Sequence, residues 1–280
     1  MIALNSLGEG SNVGVDFFQI ASTIGIATDN KQKYCFREQG NDFSEYFQKP
    51  VPYKDLDNHE IIKEENRSYK KIENLDPDKN YVLNGFFQSE KYFRHCEDLI
   101  REQFFFREEI VARLEKKYPI LKDEEFTAIH FELAECSTEL AEYKKTGKER
   151  SLYILGSDGN LEIVDEECNY YIASAMEEIG LNTNFLIGSD NMLHCKRFVN
   201  NGYTIYSEEK NVILDMVLMT MCKNVIISNT AASWWTAWLN PNKDKKVIAP
   251  KHWYRPNAAE KLYGKSNYLE DLIPQNWKII

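Results

Sequence analysis

The chain has 280 residues, 43% of them hydrophobic, and a formal net charge of -10, enough to bury a large core in one big domain or two small ones. The acidic balance and the lack of a basic block exclude a nonspecific nucleic-acid binder. No run approaches the roughly 18 apolar residues of a membrane helix, and MIALNSLGEG lacks the positive leader and long apolar segment of a secretory signal.

A cytoplasmic setting is therefore expected. The six cysteines, Cys35, Cys96, Cys136, Cys168, Cys195 and Cys222, are scattered without metal-ligand spacing and fit reduced thiols. In chain order, strand Ile2 to Asn5 leads into the loop Gly8-Glu9-Gly10-Ser11-Asn12-Val13-Gly14 and a helix from about Asp16 to Thr28. The glycine spacing is not that of a dinucleotide fingerprint. Strand Lys33 to Phe36 follows, then a polar variable region rich in Glu and Lys, strand Tyr81 to Asn84, and helices from Glu90 to Phe104 and from Arg107 to Tyr118.

After Pro119 the pattern becomes more regular. Strand Thr127 to Phe131 precedes a helix around Asn169 to Ile179, strand Asn184 to Gly188, a helix from Met192 to Val199 and strand Tyr203 to Ser207. Alternating strands and helices predict an α/β fold with parallel sheets covered by helices. The junction falls near Pro119 to Asp123, giving domains 1–120 and 121–280. Ligands of such sheets bind beyond the carboxyl ends of the strands, which puts Glu132, Ser189, Asp190 and Asn229 around one crevice.

The stretch from Asp215 to Pro250 carries the most information. Met216, Leu218, Met219 and Cys222 recur at helical spacing, and Val225, Ile226 and Ile227 form an apolar run suited to a strand covered on both faces. Asn229, Thr230 and Ser233 supply cap-type side chains just before Trp234, Trp235, Ala237, Trp238 and Leu239, and Asn240-Pro241 ends the helix. Free amides at such a helix start can hold an anion. On pattern alone the same stretch also reads as a buried αβα unit whose tryptophans only fill the core.

Ser-Trp-Trp-x-Ala-Trp-Leu-Asn, preceded by Leu-Met-x-x-Cys-Lys and a strand ending in Asn, resembles the C-terminal signature of the α-1,2-fucosyltransferases, which use GDP-fucose. Gly85-Phe86-Phe87-Gln88-Ser89 with Tyr92-Phe93 is similar to the family's Gly-Tyr-Phe-Gln-Ser segment, Phe17-Phe18-Gln19-Ile20-Ala21 to its Met-Phe-Gln-Tyr-Ala, and Phe185 to Asp190 to its strand ending in Ser-Asp-Asp. The resemblance implies two Rossmann-like lobes of the GT-B type. The first would bind largely the oligosaccharide acceptor, and the second the nucleotide sugar. It also implies inverting transfer of fucose to a galactoside, with GDP-fucose as donor substrate and neither cofactor nor metal. Carried over residue by residue, it points to His130 in the first motif, Ser189 and Asp190 in the third, and Asn229, Thr230, Ser233 and Trp234 at the nucleotide. It further points to Gly14, Asp16 and Gln19 near the N-terminus. The oligomeric state is not legible.

The cleft motifs depart from the family. Its H-x-R-x-G-D reads His130-Phe131-Glu132-Leu133-Ala134-Glu135, so a carboxylate stands where an arginine would grip the diphosphate. One such contact at about 4 Å is worth roughly 4 kcal/mol before desolvation, and its reversal is expected to lower GDP-fucose affinity on the order of a thousandfold. Lys223, Lys251, His252 or Arg255 could compensate by pointing inward. Gly-Asn-Gln reads Gly14-Val15-Asp16, Ser-Ser-Phe-Ser reads Thr230-Ala231-Ala232-Ser233, and an aromatic before Ser189 is Gly188. His130, Glu132 and Glu135 are the catalytic candidates. Glu132 reads either as a general base for the acceptor hydroxyl or as a solvent-paired carboxylate. Strand alternation, which puts His130 and Glu132 on one face, also admits a metal cluster with Glu135. A fucosyltransferase and a silent or redesigned scaffold binding another small molecule both remain open, as does a glycosyltransferase with a less anionic donor.

Overall fold

The structure, a computed structural model, describes residues 1–5, 7, 13–37, 43–131, 152–155, 161–189, 202–254 and 256–280. The chain forms two compact units, Met1–Lys117 with Leu262–Gln275, and Tyr118–Lys261 with Asn276–Ile280. Each is built on its own parallel sheet flanked by helices, the Rossmann-like α/β class expected.

Unit 1 opens with β1 (Ile2–Leu4), whose three apolar residues are buried as a central strand requires. Then come α1 (Val13–Asp29), β2 (Tyr34–Phe36), β3 (His59–Lys63) and β4 (Asn80–Asn84). The sheet order is β2-β1-β4-β3, with every neighbour parallel. β3 lies in the stretch expected to be a polar variable region. It is an edge strand, half exposed and rich in charge, so it carries no apolar run.

α1 is apolar nearly all round, burying Phe17, Phe18, Ile20, Ala21, Ile24 and Ile26. At Gly25 an added Cβ would lie 2.1 Å from the Tyr92 carbonyl oxygen, so only glycine allows this approach. The single helix expected from Glu90 to Phe104 is instead two 3-10 turns followed by α2 (Glu97–Gln103). Phe93 leaves the helical region, with φ -137° and ψ -2°, and interrupts the hydrogen-bond ladder. α3 (Glu108–Lys117) follows.

The segment Leu262–Gln275 completes this unit. Ser89 donates its hydroxyl hydrogen to the Asp271 carbonyl, and the Asp271 carboxylate accepts from the Tyr69 amide (3.0 Å), Lys91 (2.7 Å) and Lys265 (2.5 Å). Burial pushes the Asp271 carboxyl up, but the two ammonium groups and the Tyr69 amide outweigh it and hold the carboxyl below its ordinary range.

Unit 2 runs through α4 (Ile120–Asp123), β5 (Phe126–Phe131), an unanticipated antiparallel hairpin of β6 (Leu152–Leu155) and β7 (Leu161–Val164), α5 (Asp165–Ile179), β8 (Asn184–Ser189) and β9 (Thr204–Tyr206). It continues with α6 (Val212–Thr220), β10 (Asn224–Ile227), α7 (Ala231–Leu239), β11 (Val247–Ala249), α8 (Pro256–Tyr263) and β12 (Lys278–Ile279). The helix expected over Met192 to Val199 lies outside the described residues.

The sheet order is β12-β11-β10-β5-β8-β9, all parallel. Ile129, Ile187, Ile226 and Ile248 form one row against Tyr171, Ile172, Ala175 and Met176 of α5. Alternation turns His130, Gly188 and Ile227 to the opposite face, where Met219 of α6 approaches Gly188 and Trp234, Trp235 and Trp238 of α7 bury against one another and Trp277.

Candidate functional site

In unit 2 the turn after β10 sits at the carboxyl edge of the sheet and is braced from three directions. Thr230 is extended, with φ -120° and ψ 150°, and caps α7 by accepting a hydrogen bond from the Ser233 amide at 3.2 Å. Ser233 is fully buried. Its hydroxyl accepts from the Ser228 amide at 2.8 Å and donates to the His130 carbonyl at 3.4 Å, tying the turn to β5. The Asn229 side-chain amide donates to the Trp253 carbonyl at 3.1 Å.

These bonds fix the first turn of α7, yet the amides of Ala231 and Ala232 form no hydrogen bond to a described residue. They are the first two amides of a nine-residue helix and lie at its positive end. Trp234 is fully buried against Trp235, Trp238 and Trp277, so its ring belongs to the core.

His130 occupies the next-to-last position of β5, in register with Ile227 on one side and Gly188 on the other. It is 3% exposed, and its Nδ1 has no hydrogen-bond partner among the described residues. Burial alone lowers its pKa to about 4, so the imidazole is neutral near pH 7 and brings no positive charge to an anion. At Gly188 an added Cβ would fall 2.0 Å from Met219 Cε, so the flexible end of that methionine fills the space beside the strand. Asp215, which accepts a hydrogen bond from the Ser207 hydroxyl, closes the same corner. Ser189 ends β8 half-buried, opposite Phe131. Glu132, Glu135 and Asp190 lie outside the described residues.

The cations proposed to compensate for Glu132 separate clearly. Lys223 precedes β10 and pairs with Glu125, which precedes β5, at 2.6 Å, so it sits at the amino edge of the sheet, away from the turn. Lys251 follows β11 at the carboxyl edge, is exposed, and forms no ion pair with a described residue. His252 is half-buried beside it, and Arg255 lies outside the described residues.

In unit 1, Gly14 and Asp16 are buried in the first turn of α1, and the Gln19 side-chain amide donates to the Gly85 carbonyl at 2.9 Å. That bond leads to residues the sequence did not single out. The Ser22 hydroxyl donates to the Phe87 carbonyl at 2.8 Å, while the Glu64 carboxylate accepts from the amides of Phe86 (2.7 Å) and Phe87 (2.9 Å). Burial raises the Glu64 pKa, and the two amides oppose that rise. Phe87 adopts φ 50°, a left-handed conformation rare for a residue with a side chain. Glu64 sits in a run of Glu and Lys with nothing local to distinguish it, and only long-range geometry could have found it.

Among the described residues no group of three or more His, Cys, Asp or Glu side chains could hold a metal ion, and no helix is long and apolar enough to cross a membrane. Cys35, Cys96 and Cys222 are buried free thiols.

Residues 162–276 match the model of Glycosyl transferase family 11. The O-antigen biosynthesis glycosyltransferase WbnK of Escherichia coli is 47% identical over 64 residues, covering 23% of this chain and 20% of that protein. An alpha-1,2-colitosyltransferase of Escherichia coli is 26% identical over 206 residues, covering 69% of this chain and 60% of that protein. The chain thus spans a fifth of one curated relative and three fifths of the other. Among solved structures, a mutant of Arabidopsis thaliana FUT1 in complex with GDP superposes with a TM-score of 0.54 at 11% identity, covering 91% of this chain and 72% of that one. The α-1,6-fucosyltransferase NodZ soaked with GDP-fucose gives 0.52 at 13% identity, covering 90% and 94%. At these identities the likeness bears on fold.

Proposed function

Starting from the match of residues 162–276 to the Glycosyl transferase family 11 model, we propose that the protein transfers fucose from GDP-fucose to a hydroxyl of a galactoside in α-1,2 linkage. The observation that carries this reading is the braced turn from Ser228 to Ser233, with the Ala231 and Ala232 amides left open at the positive end of α7. A diphosphate suits it, because amides and helix dipole favour an anion there at no cost in reorganisation. Lys251, at the same edge of the sheet, supplies the cation that His130, neutral near pH 7, does not.

In the transfer the acceptor oxygen bonds to the anomeric carbon as the bond from that carbon to the diphosphate oxygen breaks. GDP departs, and the acceptor proton passes to a base, a role proposed for Glu132 or Glu135. Ser189, Asp190, Asn229 and Thr230 are proposed as substrate-binding residues of unit 2, and Gly14, Asp16 and Gln19 as substrate-binding residues of unit 1. The free thiols support a cytoplasmic setting. The colitosyltransferase relative supports a second reading, in which the transferred sugar is colitose.

Calorimetric titration with GDP and GDP-fucose tests the proposal. Micromolar binding is expected for the wild type. Ala231→Pro should weaken it about tenfold without loss of fold, because proline at the first helical position removes one amide donor and keeps the helix. The preceding Thr230 is already extended, as proline requires. No binding at millimolar ligand would leave a silent scaffold. Binding that appeared only in Glu132→Arg would locate the defect.

A further inference from the structure

We propose that unit 1 holds a binding site, independent of the transfer proposed above, for a small neutral aromatic molecule that carries one N–H or O–H donor, of the phenol or indole class. The site is a cavity of about 200 Å³ lined by α1, the loop that joins β2 to β3, and the end of α2. Its floor is Ile20, Phe43, Phe47, Gln103 and Phe104, all buried, and it opens where Ser44, Pro50 and Tyr53 are exposed. The loop is tied down on both sides. Its first part bonds to the chain after α2, from the Gln48 amide to the Phe105 carbonyl (3.0 Å) and from the Arg107 amide to the Tyr46 carbonyl (2.9 Å). Its later part bonds to β2, from the Phe36 amide to the Pro52 carbonyl (2.9 Å) and from the Lys54 amide to the Phe36 carbonyl (2.8 Å). A cavity framed in this way is formed before any ligand arrives, which spares the ligand the cost of ordering the loop.

The walls select a ring. Phe43 and Phe47 each meet Phe17 edge-on with centroids 5.3 Å apart, and Phe104 meets Phe47 edge-on at 5.4 Å, so one more ring in the cavity extends packing already present. An apolar cavity of roughly 150 Å³ stays dry and accepts benzene, so this one has room for a ring. The floor selects a donor. Gln103, 2% exposed, is the one polar side chain among the floor residues, and its Nε2 donates to the Lys49 carbonyl at 3.1 Å. A carbonyl can only accept, which fixes the orientation of the amide and leaves Oε1 as the other end, without a hydrogen-bond partner among the described residues. A buried acceptor left this way costs stability until a donor reaches it. Water is a poor occupant, since it needs about two to four polar partners and the floor offers one. The Lys49 ammonium is paired with Glu102 at 3.1 Å, so the ligand is neutral.

Ligand-observed NMR titration of the whole chain with phenol, indole and toluene is the test. Phenol and indole are expected to bind the wild type. Gln103→Leu should weaken phenol about tenfold, the worth of one hydrogen bond, and leave toluene as tight as before or tighter. Val51→Trp, which fills the cavity from its half-buried wall, should abolish binding of all three, with hydrogen-exchange protection of β1 and α1 retained; should that variant fail to fold, Gln103→Leu decides alone. A wild type that ignores phenol and indole means that the space holds only water, and overturns the site. Phenol binding unchanged in Gln103→Leu, or lost there in equal measure with toluene, overturns it as well, because Oε1 then selects nothing.

Discussion

Two loops occupy the same position in their own sheets, each following an inner parallel strand, and their electrostatics are opposite. After β4 the amides of Phe86 and Phe87 are filled by the Glu64 carboxylate. After β10 the turn is held by its own side chains, Thr230 and Ser233, and by the His130 carbonyl, while the amides of Ala231 and Ala232 stay open. Strand-end topology offers a ligand position in both units. Which groups already sit on the amides decides whether they are left to meet an anion.

The comparison breaks most sharply at Glu64. Glu64→Leu strips two amides of their acceptor and removes the group that holds Phe87 in the left-handed region, a loss of about 3 kcal/mol. Hydrogen exchange should show it as faster exchange of the Phe86 and Phe87 amides, with protection in β10 and α7 unchanged. Glu64→Gln keeps one acceptor oxygen and should cost about 1 kcal/mol. Wild-type exchange in Glu64→Leu would mean that packing, and not the carboxylate, shapes the loop.

Acid should separate the units next. The folded pKa of His130, about 4, lies below its ordinary 6.5, so between these values the unfolded chain takes up a proton that the folded chain refuses. The stability of unit 2 is therefore full above pH 6.5 and falls as pH drops, by about 3 kcal/mol at pH 4. In unit 1 the Asp271 carboxyl sits below its ordinary 3.8, so its contribution is complete above that value and is lost only at lower pH. Chemical denaturation followed between pH 8 and pH 4 should show the loss in the tryptophan signal of α7 first. His130→Leu should flatten that slope, and an unchanged slope would assign it to another group.

The sheets were legible because buried parallel strands are short apolar runs, as at Val225 to Ile227 and Phe185 to Ile187, and because Asn229, Thr230 and Ser233 announce a helix start. β3 was not, since an edge strand such as His59–Lys63 needs no apolar alternation. The site was legible where residues act locally, as in the Thr230 cap. It was hidden where one side chain serves a loop 22 residues away, as Glu64 serves Phe86. Pattern also cannot tell a tryptophan against a ligand from one in the core, and Trp234 is buried. Nor does it say which edge of a sheet a lysine joins: Lys223 reads as a site cation until its pairing with Glu125 is seen.

The smallest expected effects sharpen the comparison within the turn itself. Thr230 and Ser233 both brace α7, but Thr230 caps a half-exposed helix start, whereas Ser233 satisfies the Ser228 amide from a fully buried position and reaches across to β5. Thr230→Ala should cost about 1 kcal/mol, since water can replace the cap. Ser233→Ala should cost about 2 kcal/mol, since the Ser228 amide is left without a partner away from water. Their effects on GDP should divide the other way if the open amides are the anion site. Thr230 orients the amides of Ala231 and Ala232 directly, whereas Ser233 acts one strand away, so Thr230→Ala should lose more affinity than stability. If Ser233→Ala instead loses more affinity for GDP, the anion is held by the β5 and β10 strand ends, and the N-terminus of α7 serves only to close the fold.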